Sequence, residues 1–208
     1  MKVLLINGSP HQQGCTFTAL TEVAKAIEDA GITTEIYHIG NQPIRGCCGC
    51  KSCRSKSGRC TFDDDGVNTV LAQAEQADGF IFGSPVHFAG ASGSVTSFLD
   101  RLFYAGSGIF AYKPGAAIVT CRRGGATAAF EQLNKYFMYA QMPIVSSQYW
   151  NMAHGNTPEE IVQDAEGMQI MRVLGRNMAW LLKSIEAGRL ANIELPQKEQ
   201  KVVTSFIR

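Results

Sequence analysis

The chain has 208 residues, and Lys+Arg 19 against Asp+Glu 18 leaves a formal net charge of +1. That length suits one domain with a full apolar core, and 45% hydrophobic with 18% charged residues excludes a disordered, collagenous or coiled-coil chain. A near-neutral chain lacks the broad positive field that nucleic acid or an anionic membrane requires.

Residues 2–6 form a short apolar run ending at Asn7-Gly8, the pattern of a buried parallel strand. No basic leader or cleavage site precedes it. No apolar run nears the ~18 residues of a membrane span. The expectation is a cytoplasmic protein. Residues 16–29 have helical spacing, with Leu20, Val23, Ala24 and Ile27 on one face and Gly31 as a stop. Residues 33–38 predict a second strand, and a cysteine-rich segment follows at about 44–62. Helices are predicted over 63–77, 92–104 and 126–140, and strands over 79–83, 115–121 and 143–146. Thr157-Pro158-Glu159-Glu160 is a capping box that opens the last helix. Its stripe of Ile161, Ala165, Met168, Met171, Leu174, Met178, Leu181 and Ile185 predicts one continuous element ending near Gly188.

Strand and helix alternate five times, which argues for α/β with a parallel sheet between two helical layers. Right-handed crossovers make it doubly wound. The domain reading is one unit over 1–188, interrupted by the cysteine-rich insertion, with an irregular tail at 189–208.

In a doubly wound sheet, ligands bind beyond the strand C-termini at the switch point. The loop after the first strand has neither a G-x-G-x-x-G nor a G-K-[ST] fingerprint. It does offer the Ser9 and Thr16 hydroxyls, glycines for close approach, and a helix N-terminus. These are the parts of a phosphate cradle, and equally those of an ordinary strand–helix turn. The loops at 83–93 and 120–126 would add backbone amides and an aromatic edge, describing a pocket for a phosphorylated planar cofactor.

Gly8-Ser9-Pro10 with Gly14 and Thr16, Gly83-Ser84-Pro85-Val86, Phe98-Leu99-Asp100-Arg101, and the cysteine run followed by Asp63-Asp64-Asp65 together resemble the NADPH-dependent FMN reductases and iron-sulfur flavoproteins of the flavodoxin-like superfamily. The resemblance covers roughly residues 1–185. It implies a flavodoxin-like five-stranded parallel sheet of order 2-1-3-4-5, with FMN at the switch point. Matched by position, Ser9, His11, Cys15, Thr16 and Phe17 would surround the phosphate. Pro85, Val86, His87 and Phe88 would line the isoalloxazine, and Arg122, Gly124 and Gly125 would close another side. Two positions depart from the family's pattern. His11 stands where Arg is frequent and Cys15 where Asn is frequent, so cationic charge and a good donor are both reduced. His87 stands where Tyr is frequent.

Five of the seven cysteines lie between positions 47 and 60. A secreted framework would spread an even set over a shorter chain. The spacing is Cys47-x2-Cys50-x2-Cys53-x6-Cys60, with Cys48 as an extra thiol. Its first three positions match the bacterial ferredoxin run, while the fourth interval is longer and Thr61 replaces Pro. The resemblance implies a 4Fe-4S cluster on Cys47, Cys50, Cys53 and Cys60. The spacing also admits zinc, a redox disulfide switch or a metal-free loop. Arg45, Lys51, Arg54, Lys56 and Arg59 would offset thiolate charge or solvate the loop. Cys121, at a strand end, reads as buried rather than reactive.

The function expected is an oxidoreductase that passes electrons from NAD(P)H, or from a protein donor, through FMN to a flavin, a quinone or an iron-sulfur centre. The absence of a Ser-His-Asp set or carboxylate pair is consistent with a cofactor that carries the chemistry. The alternatives are a flavodoxin-like electron carrier, to which the +1 charge is ill suited, and a redox sensor. The resemblance further implies small-molecule or ferredoxin-type electron partners and a homodimer or homotetramer.

Overall fold

The computed structural model describes every residue except Lys56, Ser57, Lys198, Lys201, Ser205, Ile207 and Arg208, and leaves the Ser107 side chain undescribed. Lys56 of the expected basic ring and part of the expected tail therefore lie outside the described residues. Strands β1 (Lys2–Asn7), β2 (Thr33–His38), β3 (Gly79–His87), β5 (Gly115–Cys121) and β6 (Met152–His154) form a parallel sheet of order β2-β1-β3-β5-β6. A two-residue strand, β4 (Gly90–Ala91), folds back antiparallel on the end of β3. Counting parallel strands alone, this is the expected 2-1-3-4-5 order.

Alternation along the central strands builds two cores. Leu4, Ile6, Phe80, Phe82, Ala117 and Val119 face α2 (Val67–Glu75), α3 (Gly93–Phe110) and α4 (Ala126–Tyr139). Val3, Leu5, Ile81, Ala116 and Ile118 face α1 (Cys15–Glu28) and α6 (Ala165–Leu190). Among the described residues no helix is long and apolar enough to cross a membrane.

Several elements differ from expectation. The last strand forms at β6, not at 143–146. Residues 143–145 meet only the end of β5: Gly115 N donates to Pro143 O and Val145 N donates to Gly115 O, both at 2.9 Å. The chain then bulges outward, and the buried Asn151 side chain donates to Ala117 O at 3.1 Å in place of a neighbouring strand. The last helix is broken in two. In α5 (Pro158–Ile161), Thr157 Oγ1 accepts from Glu160 N at 3.3 Å, but the Glu160 carboxylate accepts from Asn156 N, one residue outside the cap. Asp164 restarts the helix as the cap of α6, accepting from Gly167 N at 2.9 Å. Ile161, Met168, Met171, Leu174 and Met178 are buried as expected, Ala165 and Ile185 are exposed, and α6 runs past Gly188 to Leu190. Finally, α2 begins at Val67 rather than 63, behind Gly66 at φ 79°. Helix α3 runs to Phe110 across a kink at Gly106.

Asp65 stays out of α2 because its carboxylate is taken by Arg101 of α3, with both side chains buried (1% and 3% exposed). Arg101 Nη1 also donates to Arg45 O at 3.2 Å, and Nη2 donates to Phe62 O at 2.9 Å. One guanidinium thus ties both ends of the cysteine-rich segment to the core. Burial opposes the Arg101 charge, but hydrogen bonds and attraction from Asp65 and Cys60 outweigh it and hold the pKa above the usual arginine value. Removing one partner of such a pair strands a buried charge. Asp65→Ala is therefore expected to cost about 3–5 kcal/mol in urea unfolding. The exposed neighbour Asp64→Ala should stay within about 0.5 kcal/mol.

Candidate functional site

A cavity of about 970 Å³ opens at the C-terminal ends of β1, β3 and β5, on the switch-point side of the sheet. Its floor is the loop from β1 into α1. Gly8 N donates to Gly83 O at 2.9 Å, and Ser9 N donates to Asn7 Oδ1 at 3.1 Å. His11 N donates to Ser9 Oγ at 3.1 Å, which leaves the Ser9 hydroxyl proton available. Asn7 Nδ2 donates to Gln12 O at 3.0 Å. The His38 ring closes the far side, its Nε2 lying 2.8 Å from Ser9 O. A carbonyl only accepts, so that nitrogen carries the proton.

Helix α1 opens onto this loop. Its N-cap, Gly14, supplies no side-chain hydrogen bond, and no acidic residue lies in the first turn. The first amides of a helix have no intrahelical acceptor, and the helix dipole favours an anion there. The Thr16 hydroxyl is 2.9 Å from that of Thr120 on β5, and both residues are buried. Of the described residues lining the cavity, Arg122 is the one Lys or Arg, while His11, His38 and His87 contribute imidazoles.

Ser9, His11, Cys15, Thr16, Pro85, Val86, His87 and Arg122 all line this cavity. Four other candidates lie outside its lining. Phe17 is half-buried on α1, and Gly124 is exposed. Phe88 stands fully exposed at the β3–β4 turn, with a φ of 48° that bulky residues seldom adopt. Gly125 caps α4 at φ 90°, and a Cβ there would come within 2.6 Å of Ala89 Cα. It is the seat of that turn rather than a wall of the cavity. The lining also includes His38, Gly40, Asn41 and Asn156, none of which a motif marks, and Thr157, which the sequence marks only as a helix cap. Their signal is topological: β2 and β6 end on the same rim as β1, β3 and β5, so the residues just after them belong to it.

Cys15 donates to Gly155 O at 3.6 Å. Burial, then the carboxylates of Glu160 and Glu159, hold its thiol above the ordinary pKa, so it remains a neutral, weak donor. Burial likewise raises Cys121, which lines the same cavity.

A second, small cavity lies against α3. Cys47, Cys48, Cys50, Cys53 and Cys60 all line it, with Arg101 and Tyr104. Cys60 is fixed most tightly. Its N donates to Asn68 Oδ1 at 2.8 Å, Asn68 Nδ2 donates to its carbonyl at 3.0 Å, and Arg101 Nε donates to its Sγ at 3.3 Å. Cys47, Cys48 and Cys50 are exposed, and all seven cysteines are free thiols. Hydrogen bonds from Ser52 hold the Cys50 pKa below the ordinary value. Of the basic ring, Arg59 pairs with Glu75 at 2.8 Å and Arg45 lies 4.4 Å above the Phe62 ring. Among the described residues, no three His, Cys, Asp or Glu side chains are placed to share a single metal ion.

The sheet order and the switch-point cavity define a flavodoxin-like protein. Over residues 1–157 the chain matches the family described as NADPH-dependent FMN reductase, and it belongs to that family of FMN-dependent oxidoreductases. An iron-sulfur flavoprotein of Methanocaldococcus jannaschii is 31% identical over 194 residues, covering 89% of this chain and 100% of its own. One from Archaeoglobus fulgidus is 31% identical over 176 residues, covering 83% and 86%. In fold, the chain is similar to the flavodoxin, WrbA-like protein of Agrobacterium tumefaciens, at a TM-score of 0.61 and 18% identity, covering 88% and 96%.

The opposite pKa directions give a reactivity order for metal-free protein. Thiolate is the nucleophile, so brief iodoacetamide treatment at pH 8, read by peptide mass spectrometry, should label Cys50 first and Cys15 and Cys121 last. Early labelling of Cys15 would contradict the buried, carboxylate-flanked environment.

Proposed function

We propose that the switch-point cavity holds FMN and that electrons from NAD(P)H, or from a protein donor, pass through it to a flavin, a quinone or an iron-sulfur centre. The observation that carries this reading is the open N-terminus of α1 beside buried Ser9 and Thr16. A terminal phosphate would meet free helix amides and two hydroxyls there, with Arg122 and the imidazoles on the walls. Pro85, Val86 and His87 would lie along the flavin ring. Phe88, Gly124 and Gly125 would act from behind or beside it. FMN, once bound, supplies hydride and single-electron chemistry. The chain's own part is to bind it, hold it at the strand ends and exclude water from one side.

In the same reading Cys47, Cys50, Cys53 and Cys60 carry a 4Fe-4S cluster. Five thiols around one cavity, a buried guanidinium at Cys60 and basic residues outside suit a negatively charged group. A cluster spreads its ligands over several irons, so its thiolates need not converge on one point. The relatives named as iron-sulfur flavoproteins support the assignment. The protein would work in the cytoplasm, between small-molecule or ferredoxin-type partners, as a homodimer or homotetramer. Exposed Phe88, Tyr139 and Trp180 supply apolar surface for such an assembly.

Ser9→Ala and Thr16→Ala each remove a hydrogen bond to a charged group, about 1.5–3 kcal/mol. FMN affinity, measured by fluorescence quenching, should weaken about ten-fold or more in each. Unchanged affinity would mean the phosphate lies elsewhere. NADPH oxidation should proceed with added FMN and a quinone, and no turnover with any acceptor would sink the reductase reading.

A further inference from the structure

We infer that Arg101 sets the redox poise of the cysteine site through an N–H···S hydrogen bond to Cys60. This rests on the cluster reading above and adds a role for a residue that coordinates nothing. Arg101 Nε lies 3.3 Å from Cys60 Sγ, within range for a donor to sulfur. Its two Nη groups are already committed to Asp65, Arg45 O and Phe62 O, so the guanidinium plane is fixed and Nε has one direction to point. The Cys60 backbone is clamped by the Asn68 amide. Donor and acceptor are therefore both held before any iron arrives.

Arg101 is buried, so its charge is weakly screened at this one sulfur. One-electron reduction of a 4Fe-4S centre by an external reductant adds one negative charge and moves no proton. Hydrogen bonds to the cysteine sulfurs are among the factors that set such potentials. Arg101 stabilises the added charge and so raises the potential. Asp65 acts in the opposite sense, because its carboxylate offsets part of the guanidinium's field. The two neighbours should therefore shift the potential with opposite signs, which a loosened loop would not do. Arg101 does not line the switch-point cavity, so the flavin potential gives an internal control.

The test uses the full chain, reconstituted anaerobically with iron and sulfide, in a mediated dithionite titration. The reduced cluster is followed by electron paramagnetic resonance and the flavin by its visible spectrum. In Arg101→Gln the cluster midpoint should fall by about a ten-fold change in the reduction equilibrium, ~59 mV for one electron. In Arg101→Lys it should fall less, and in Asp65→Asn it should rise, with the flavin midpoint unchanged in all three. Should Arg101→Gln not fold, the wild-type protein and Asp65→Asn decide. In the wild type, exchange into deuterated water should shift the iron–cysteine stretching bands in the resonance Raman spectrum. A bound cluster with an unmoved potential in the folded variants and no isotope shift would overturn the role of Arg101 alone. No iron bound to the wild type would overturn the cluster reading and this inference together, and iron analysis separates the two outcomes.

Discussion

The buried pair between Arg101 and Asp65 is the constraint on which the distinctive half of this molecule depends. Among its described residues the insertion between β2 and α2 has one three-residue turn of helix, Ser52–Arg54, and contributes little apolar surface to the core. It cannot hold its shape by packing alone. A single guanidinium replaces that packing, reaching Arg45 before the cysteines, and Cys60, Phe62 and Asp65 at or after their end. A buried arginine is expensive unless every donor is used, and here the partners are what fix the loop. Ile44 and Cys60 add apolar contact with the core.

The other half follows ordinary doubly wound logic. Central strands buried on both faces force the helices into two layers, and the strand C-termini then open one cavity at the switch point. Helix α3 links the halves. It begins beside the loop from β1 into α1, where Ser92 N donates to Ser84 Oγ at 3.0 Å and Ser92 Oγ lies 3.5 Å from Gly8 O. Eight residues on from its start it presents Arg101 to the cysteine cavity, a rise of about 12 Å along the helix. One rigid element therefore sets the spacing between the two sites.

Much of this was legible in the residues. The short apolar runs, the 3.6-residue stripes and the loop glycines predicted the layered parallel sheet, and the family resemblance implied its order. The cavity walls at 9–16, 85–87 and 122 lie where the loops indicated. What was hidden depended on partners far along the chain. A helix over 63–77 is a fair expectation until Arg101, 36 residues away, claims Asp65. The start of β6 depends on Asn151 substituting for a strand at Ala117. The break at Asp164 was hidden because the apolar stripe runs straight through it. His38 carries no motif, and the strand order alone brings it to Ser9. Gly125 shows a second role that the motif does not carry: its positive φ and the closeness of Ala89 make it the seat of a turn.

Two sites in one chain, one for flavin and one for a cluster, is the central claim. One ultraviolet–visible spectrum of anaerobically purified protein, with iron, acid-labile sulfide and FMN quantified on the same sample, tests it most directly. The predicted result is flavin absorption over a broad iron-sulfur background, with about four irons and four sulfides per FMN. A pure flavin spectrum with no iron, or zinc in its place, would contradict the cluster, and a sample that retains no flavin after FMN is added would contradict the claim at its root.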